Sequence, residues 1–262
     1  MLEWFRESAS SFSGDVDSLV LIITLTVGFW FLLAEYALFY FIVKFRRKGG
    51  RAAAYITGEQ AVEKRWITIP HILIIICDIG ILAFSFQVWS GIKQELPPAD
   101  QTIRVIGHQW SWRFVHPGAD RQLGTADDIE TVDELRLQEG TLYHFQLEAA
   151  DVLHSFSIPA FRLKQDAVPG RVITGWFQPT KTGTFDIQCA EICGIGHGVM
   201  GARLVVQSAE EHQGWLRQQA VTPLPAPGGD EGLGMSGCVL DAGTTGSDRT
   251  TFRSAAVVLR GV

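Results

Sequence analysis

Hydrophobic positions along the chain fall into two regimes. Residues 19–43 and 66–89 are almost continuously apolar, each longer than the ~20 residues a helix needs to cross a bilayer. They predict two membrane-spanning helices, at about 19–44 and 66–91, joined by a polar loop. From residue 102 onward the pattern changes to short β-branched and aromatic runs, at 102–106, 109–115, 134–138, 142–148, 172–178, 184–188 and 202–207. Turn signals such as Pro117-Gly118, Glu139-Gly140 and Pro169-Gly170 separate them. Short strands at this spacing predict a β-sandwich or barrel. The chain thus divides into 1–18 ahead of the first span, a helix hairpin over 19–95, an all-β domain over 96–220, and a Pro/Gly-rich tail over 221–262 that reads as flexible.

Charge orients this arrangement. The loop between the spans carries Lys44, Arg46, Arg47, Lys48, Arg51, Lys64 and Arg65 against Glu59 and Glu63, whereas the first 18 residues have Arg6 against Glu3, Glu7, Asp15 and Asp17. The positive-inside tendency makes the loop cytoplasmic and turns both the N-terminus and the β domain outward, to the periplasm of a bacterial inner membrane. The segment before residue 19 is too polar for a signal-peptide apolar region, so the first span reads as a retained anchor. A hydrophobic content of 47% agrees with membrane residence, and a net charge of −6 argues against nucleic-acid binding. No GxGxxG, phosphate loop or internal repeat is present. Glu35 and Asp78 interrupt the spans; at roughly 2.5–3.5 kcal/mol each at a helix centre, such acids are expected to face other subunits of a larger complex rather than lipid.

The chemistry concentrates in twelve residues, Cys189-Ala-Glu-Ile-Cys193-Gly-Ile-Gly-His197-Gly-Val-Met200, which follow a strand-like run. Two thiols, an imidazole and a thioether form the donor set preferred by soft, redox-active copper. A CxxxC disulfide would leave His197 and Met200 unexplained. A structural zinc site would have no use for methionine. His154, 35 residues upstream of Cys189, would join the cluster only if the fold brings their strands together.

These residues, with Asp151-Val-Leu-His154-Ser-Phe-Ser-Ile-Pro159, Leu163-Lys-Gln-Asp-Ala-Val-Pro-Gly-Arg171 and Gly107-His-Gln-Trp110-Ser-Trp112, resemble subunit II of haem-copper cytochrome c oxidase over residues 15 to 218. The resemblance implies a two-helix transmembrane hairpin with a cupredoxin-like β-sandwich that holds the dinuclear copper centre CuA. In that family two coppers are bridged by the thiolates at Cys189 and Cys193. His154 and His197 would each serve one metal, with Met200 as a weak axial ligand and the backbone carbonyl of Glu191 as the other. The carboxylate of Glu191 would help hold a magnesium or manganese ion shared with subunit I, a hard cation for a hard ligand. Trp110 matches the residue at which electrons enter from cytochrome c, while Trp112 reads as core. Glu63 lines up with an acid at the entrance to a proton path in subunit I. The expected activity is electron entry into a proton-pumping oxidase, with oxygen reduced in subunit I and with subunit I, other oxidase subunits, cytochrome c and membrane lipid as partners.

The chain also departs from the family. Ser111, Phe114 and His116 stand where the family has tyrosines. An acidic insertion at 118–128 lies within a stretch, His116 to Glu139, of seven acids against two bases, net −5. Such a surface would steer a basic cytochrome c. The aspartates of the insertion also suit calcium, but their spacing is not that of an EF-hand, and a solvated loop is expected. Ser236-Gly-Cys238-Val resembles the start of a fused cytochrome c domain, yet no CxxCH follows, so no haem is expected on this chain. Of the alternatives, nitrous oxide reductase shares the copper pattern but needs a large additional domain, quinol oxidases lack the ligand set, and a membrane-anchored copper chaperone would need a thioredoxin-like βαβ pattern.

Overall fold

The computed structural model describes residues 7–47, 49–50 and 56–221. The tail beyond 221, with Cys238, and Lys48 and Arg51 of the connecting loop lie outside the described residues. Two long helices, α1 (Ser13–Lys44) and α2 (Ala61–Trp89), form an antiparallel-type hairpin, and α2 runs into a π-helical turn at Ser90–Gln94. Both helices begin earlier than hydropathy predicts, because polar first turns continue the hydrogen-bonded ladder ahead of the apolar stretch. Their side chains are apolar and exposed all round, Phe31, Ile79 and Leu82 among them. A helix with no polar face belongs in a bilayer, and these two have the length and composition for one.

The β domain packs two five-stranded sheets. One has the order β3 (Ile129–Val132), β2 (Ser111–His116), β1 (Gln101–His108), β5 (Tyr143–Ala149) and β8 (Ile173–Phe177). The other runs β4 (Glu134–Gln138), β10 (Gly201–Gln207), β9 (Gly183–Cys189), β6 (His154–Ile158) and β7 (Leu163–Ala167). The β1–β5 and β4–β10 pairs are parallel and the others antiparallel. Alternate residues of β4, β5 and β9 point inward, as a sandwich with one wet face per sheet demands. The interior is aromatic: Phe156 of β6 meets Trp112, Phe114 and Phe145 at ring separations of 5.4, 6.3 and 6.0 Å. Three of these strands, β3, β6 and β7, are absent from the strands expected from sequence. A further helix, α3 (Ala209–Val221), follows β10, where short strands and a Pro/Gly-rich tail were expected.

The hairpin is fastened to the sandwich at two places, ahead of α1 and after α2. Residues ahead of α1 pair with the loop before β9: Ser11 N donates to Gln178 O at 3.0 Å, and Thr180 N to Ala9 O at 2.9 Å. Ala9 and Phe12 are buried, Phe12 against Trp176. Arg162 forms a two-pronged pair with Asp17 of α1, at 2.6 and 3.1 Å. After α2, Lys93 donates to Gln165 Oε1 at 2.8 Å. The N-terminal segment and the sandwich therefore stand on the same side of the two apolar helices.

Candidate metal centre

Strand pairing assembles the site. β9 ends at Cys189, β10 begins just after Met200, and Cys189 N donates to Met200 O at 3.1 Å, closing the neck of the intervening loop. β6 lies beside β9 with Phe156 opposite Cys189, which carries His154, the first residue of β6, to the loop. His154 thus opens its strand, and the fold supplies the proximity that spacing alone leaves open.

The donors converge. The Sγ atoms of Cys189 and Cys193 are 3.8 Å apart, His154 Nδ1 is 3.9 Å from Cys189 Sγ, and His197 Nδ1 and Met200 Sδ are each 3.7 Å from Cys193 Sγ. Glu191 O is 3.2 Å from Cys189 Sγ, so the backbone carbonyl faces the cluster, and the residue is half-buried. His154, Cys189, Cys193 and Met200 are buried. Burial, then the Cys189 sulfur and the Asp151 carboxylate, push the Cys193 thiol above its ordinary range. Two thiolates this close are unfavourable unless a cation lies between them, and sulfur, imidazole and thioether select a soft one.

Supporting residues fix the donors. Asp151 Oδ1 accepts from His154 Nε2 at 2.8 Å, which leaves Nδ1 turned toward the sulfurs. Desolvation would raise the Asp151 carboxyl, but hydrogen bonds from Gln109, His154 and Val152 outweigh it and hold its pKa below the ordinary value. Trp110 lies across the ligand loop, donating Nε1–H to Cys193 O at 3.2 Å, and it keeps a 38% exposed face. Only glycine fits beneath it: Gly194 has φ +117°, and a Cβ on Gly196 would fall inside the indole. Trp112 is fully buried in the core. Sequence reasoning assigned no role to Asp151 or Gln109. The signals for them are position alone, three residues before His154 and one before Trp110.

The other candidates lie apart from this cluster. Glu63 stands in the first turn of α2, at the opposite end of the hairpin, where its carboxylate accepts from Gly58 N at 2.9 Å and Gln60 N at 3.4 Å. In the acidic stretch, Asp120, Asp127 and Asp128 accept hydrogen bonds from the backbone of their own loop. Asp133 accepts from Trp112 N at 2.7 Å, Glu134 pairs with Arg136 at 2.7 Å, and Glu130 with Arg113 at 3.5 Å. Part of the expected docking charge is therefore spent on local structure. Asp78 is exposed beside Thr26, Trp30, Phe31 and Cys77 in a groove of about 280 Å³ between the helices, where the expected partner subunit would meet it.

Known proteins share this organisation. The family profile described as cytochrome C oxidase subunit II, periplasmic domain, matches residues 114–209. The alternative cytochrome c oxidase subunit 2 of Bradyrhizobium diazoefficiens is 32% identical over 242 residues, covering 82% of this chain and 84% of the relative. Cytochrome c oxidase subunit 2 of Cereibacter sphaeroides is 31% identical over 247 residues, with 82% and 79% covered. Among solved structures, the periplasmic domain of subunit II of cytochrome oxidase from Bradyrhizobium japonicum matches at 30% identity and a TM-score of 0.44, over 50% of this chain and 100% of that one. With two apolar helices, a cupredoxin-like sandwich and a relative this similar along most of its length, the chain belongs to the cytochrome c oxidase subunit II family and is a subunit of a haem-copper oxidase.

Proposed function

We propose that this chain is the electron-entry subunit of a proton-pumping cytochrome c oxidase, with the sandwich in the periplasm. The observation that carries this reading is the convergence of two thiols, two imidazoles and a thioether within 3.9 Å contacts, beneath an exposed indole bonded to the same loop. Cys189, Cys193, His154, His197 and Met200 would hold copper there, and copper so held would supply a one-electron relay from cytochrome c toward the haem of subunit I. This chain's residues keep the relay rigid and dry, which holds reorganisation small. Glu191 lends its carbonyl to the copper side, and its carboxylate suits a magnesium or manganese ion at the boundary with subunit I. The partly neutralised acidic surface orients a basic cytochrome c, and the exposed edge of Trp110 gives it an apolar centre.

The test is steady-state oxidation of ferrocytochrome c by the assembled oxidase. Trp110→Phe keeps a ring but removes the donor to Cys193 O; turnover per bound copper should fall roughly tenfold or more. Undiminished turnover would place electron entry elsewhere.

Glu63 is proposed to open a proton path into subunit I, and its capping bonds complicate the usual alanine test. Glu63→Gln keeps a cap acceptor while removing the charge, whereas Glu63→Ala also costs about 1 kcal/mol of helix stability. Proton uptake by reconstituted oxidase should slow in both variants. Slowing in Glu63→Ala alone would reduce Glu63 to a cap.

A further inference from the structure

Gln109 is exposed, and no known ligand position falls on it, yet it touches both halves of the copper site. Its backbone N–H donates to Asp151 Oδ2 at 2.7 Å, and the other oxygen of that carboxylate holds His154 Nε2 at 2.8 Å. Its side-chain Nε2 donates to Cys193 O at 2.8 Å. A Cβ on Gly194 would stand 2.9 Å from that same nitrogen, so the loop backbone lies directly against the amide. One residue thus bridges the β6 ligand, His154, and the loop ligand, Cys193, which are 39 positions apart in the chain. The bridge consists entirely of protein hydrogen bonds of ordinary length.

We propose that Gln109 is a positioning residue that fixes the spacing between the two halves of the metal site before copper arrives. The reading rests on the copper assignment above and extends it to the order of events. The ligand loop is rich in glycine, and its exposed Ile192, Ile195 and Val199 give it little apolar anchorage. Cys193 O accepts from both Gln109 and Trp110. Among the described residues the Trp110 indole bonds to the loop, whereas Gln109 also reaches the His154 side through Asp151. Losing the Gln109 side chain should let the loop move relative to β6, and the site should lose pre-organisation rather than a ligand. Losses of supporting hydrogen bonds of this kind cost metal sites roughly ten- to a hundredfold in affinity.

The experiment compares full-length wild type, Gln109→Ala and Gln109→Leu in detergent, each with and without copper. Leucine fills much of the same space with neither a donor nor a metal-binding atom, and a surface position tolerates both changes, which equal melting temperatures would verify. Copper loss to a chelator should accelerate roughly ten- to a hundredfold in both variants. Amide exchange over 193–200 should accelerate in the copper-free chains, and the thiolate-to-copper absorption should shift. Copper retention and exchange equal to wild type in both variants would overturn the proposal, as would a Gln109→Leu chain that behaves as wild type while Gln109→Ala does not, since that would leave only packing. Failure of the wild type itself to take up copper would overturn the copper assignment, and the exchange comparison would still decide whether Gln109 holds the loop.

Discussion

Cys193→Ser should abolish electron transfer from ferrocytochrome c while leaving the sandwich folded. The Cys193 sulfur is the hub of the site, in contact with the sulfurs of Cys189 and Met200 and the imidazole of His197. A serine oxygen is hard, stays protonated at neutral pH and cannot bridge two soft metals. Retention of copper should drop by about a hundredfold or more, beyond the range seen when only a supporting bond is lost. The added cost to folding is that of a buried hydroxyl, about 1–3 kcal/mol. Copper analysis and turnover of the purified variant oxidase check this. Retained copper with normal turnover would mean that Cys193 is no ligand.

Stability should fall steeply in mild acid because of a histidine pair far from the copper loop. His116, at the end of β2, and His212 of α3 are both buried, and their rings meet Trp215 at 5.1 and 5.4 Å. Burial, and then His212, lower the His116 pKa to about 3; burial, and then Arg136, lower that of His212 to about 4. Both lie below the unfolded value of about 6.5, so the unfolded chain takes up these protons first. The stabilisation is whole above pH 6.5 and is lost as pH falls toward 4, by up to ~1.4 kcal/mol per pH unit for each histidine, or about 3 kcal/mol from His116 alone. Thermal unfolding of the full chain between pH 7 and 4 measures this. His116→Phe, which has nothing to protonate, should show a flatter profile; an identical slope in both would mean that His116 does not carry the acid sensitivity.

Hydropathy exposed the two spans because their apolar residues are uninterrupted, and ligand spacing exposed Cys189, Cys193, His197 and Met200 because they are close in sequence. The missed strands lack clean alternation. In β6, His154-Ser-Phe-Ser-Ile158, four of five residues are buried and three are polar, because the strand starts at the metal site. β7 is an edge strand, Leu163-Lys-Gln-Asp-Ala167, buried only at its ends, and β3 is short and at the other sheet's edge. Helix α3 turns mainly Trp215 and His212 inward, too few residues for a visible stripe. Its start was nonetheless legible: Ser208-Ala-Glu-Glu211 is a capping box, with Ser208 N donating to Glu211 Oε2 at 2.9 Å and Glu211 N to Ser208 Oγ at 3.3 Å. Gln109 escaped because its bonds to Asp151 and Cys193 span 42 and 84 positions, which no local pattern encodes, and Asp151 because a spacing of three residues from His154 does not by itself signal a hydrogen bond.

Copper analysis with electron paramagnetic resonance on the full chain, loaded in detergent, decides whether the site takes a copper pair. Two coppers per chain, with one unpaired electron shared equally over both nuclei and an intense thiolate-to-copper band, is the predicted result. A single copper with a localised signal, or no copper held by the intact Cys189, Cys193, His154 and His197 set, would contradict it.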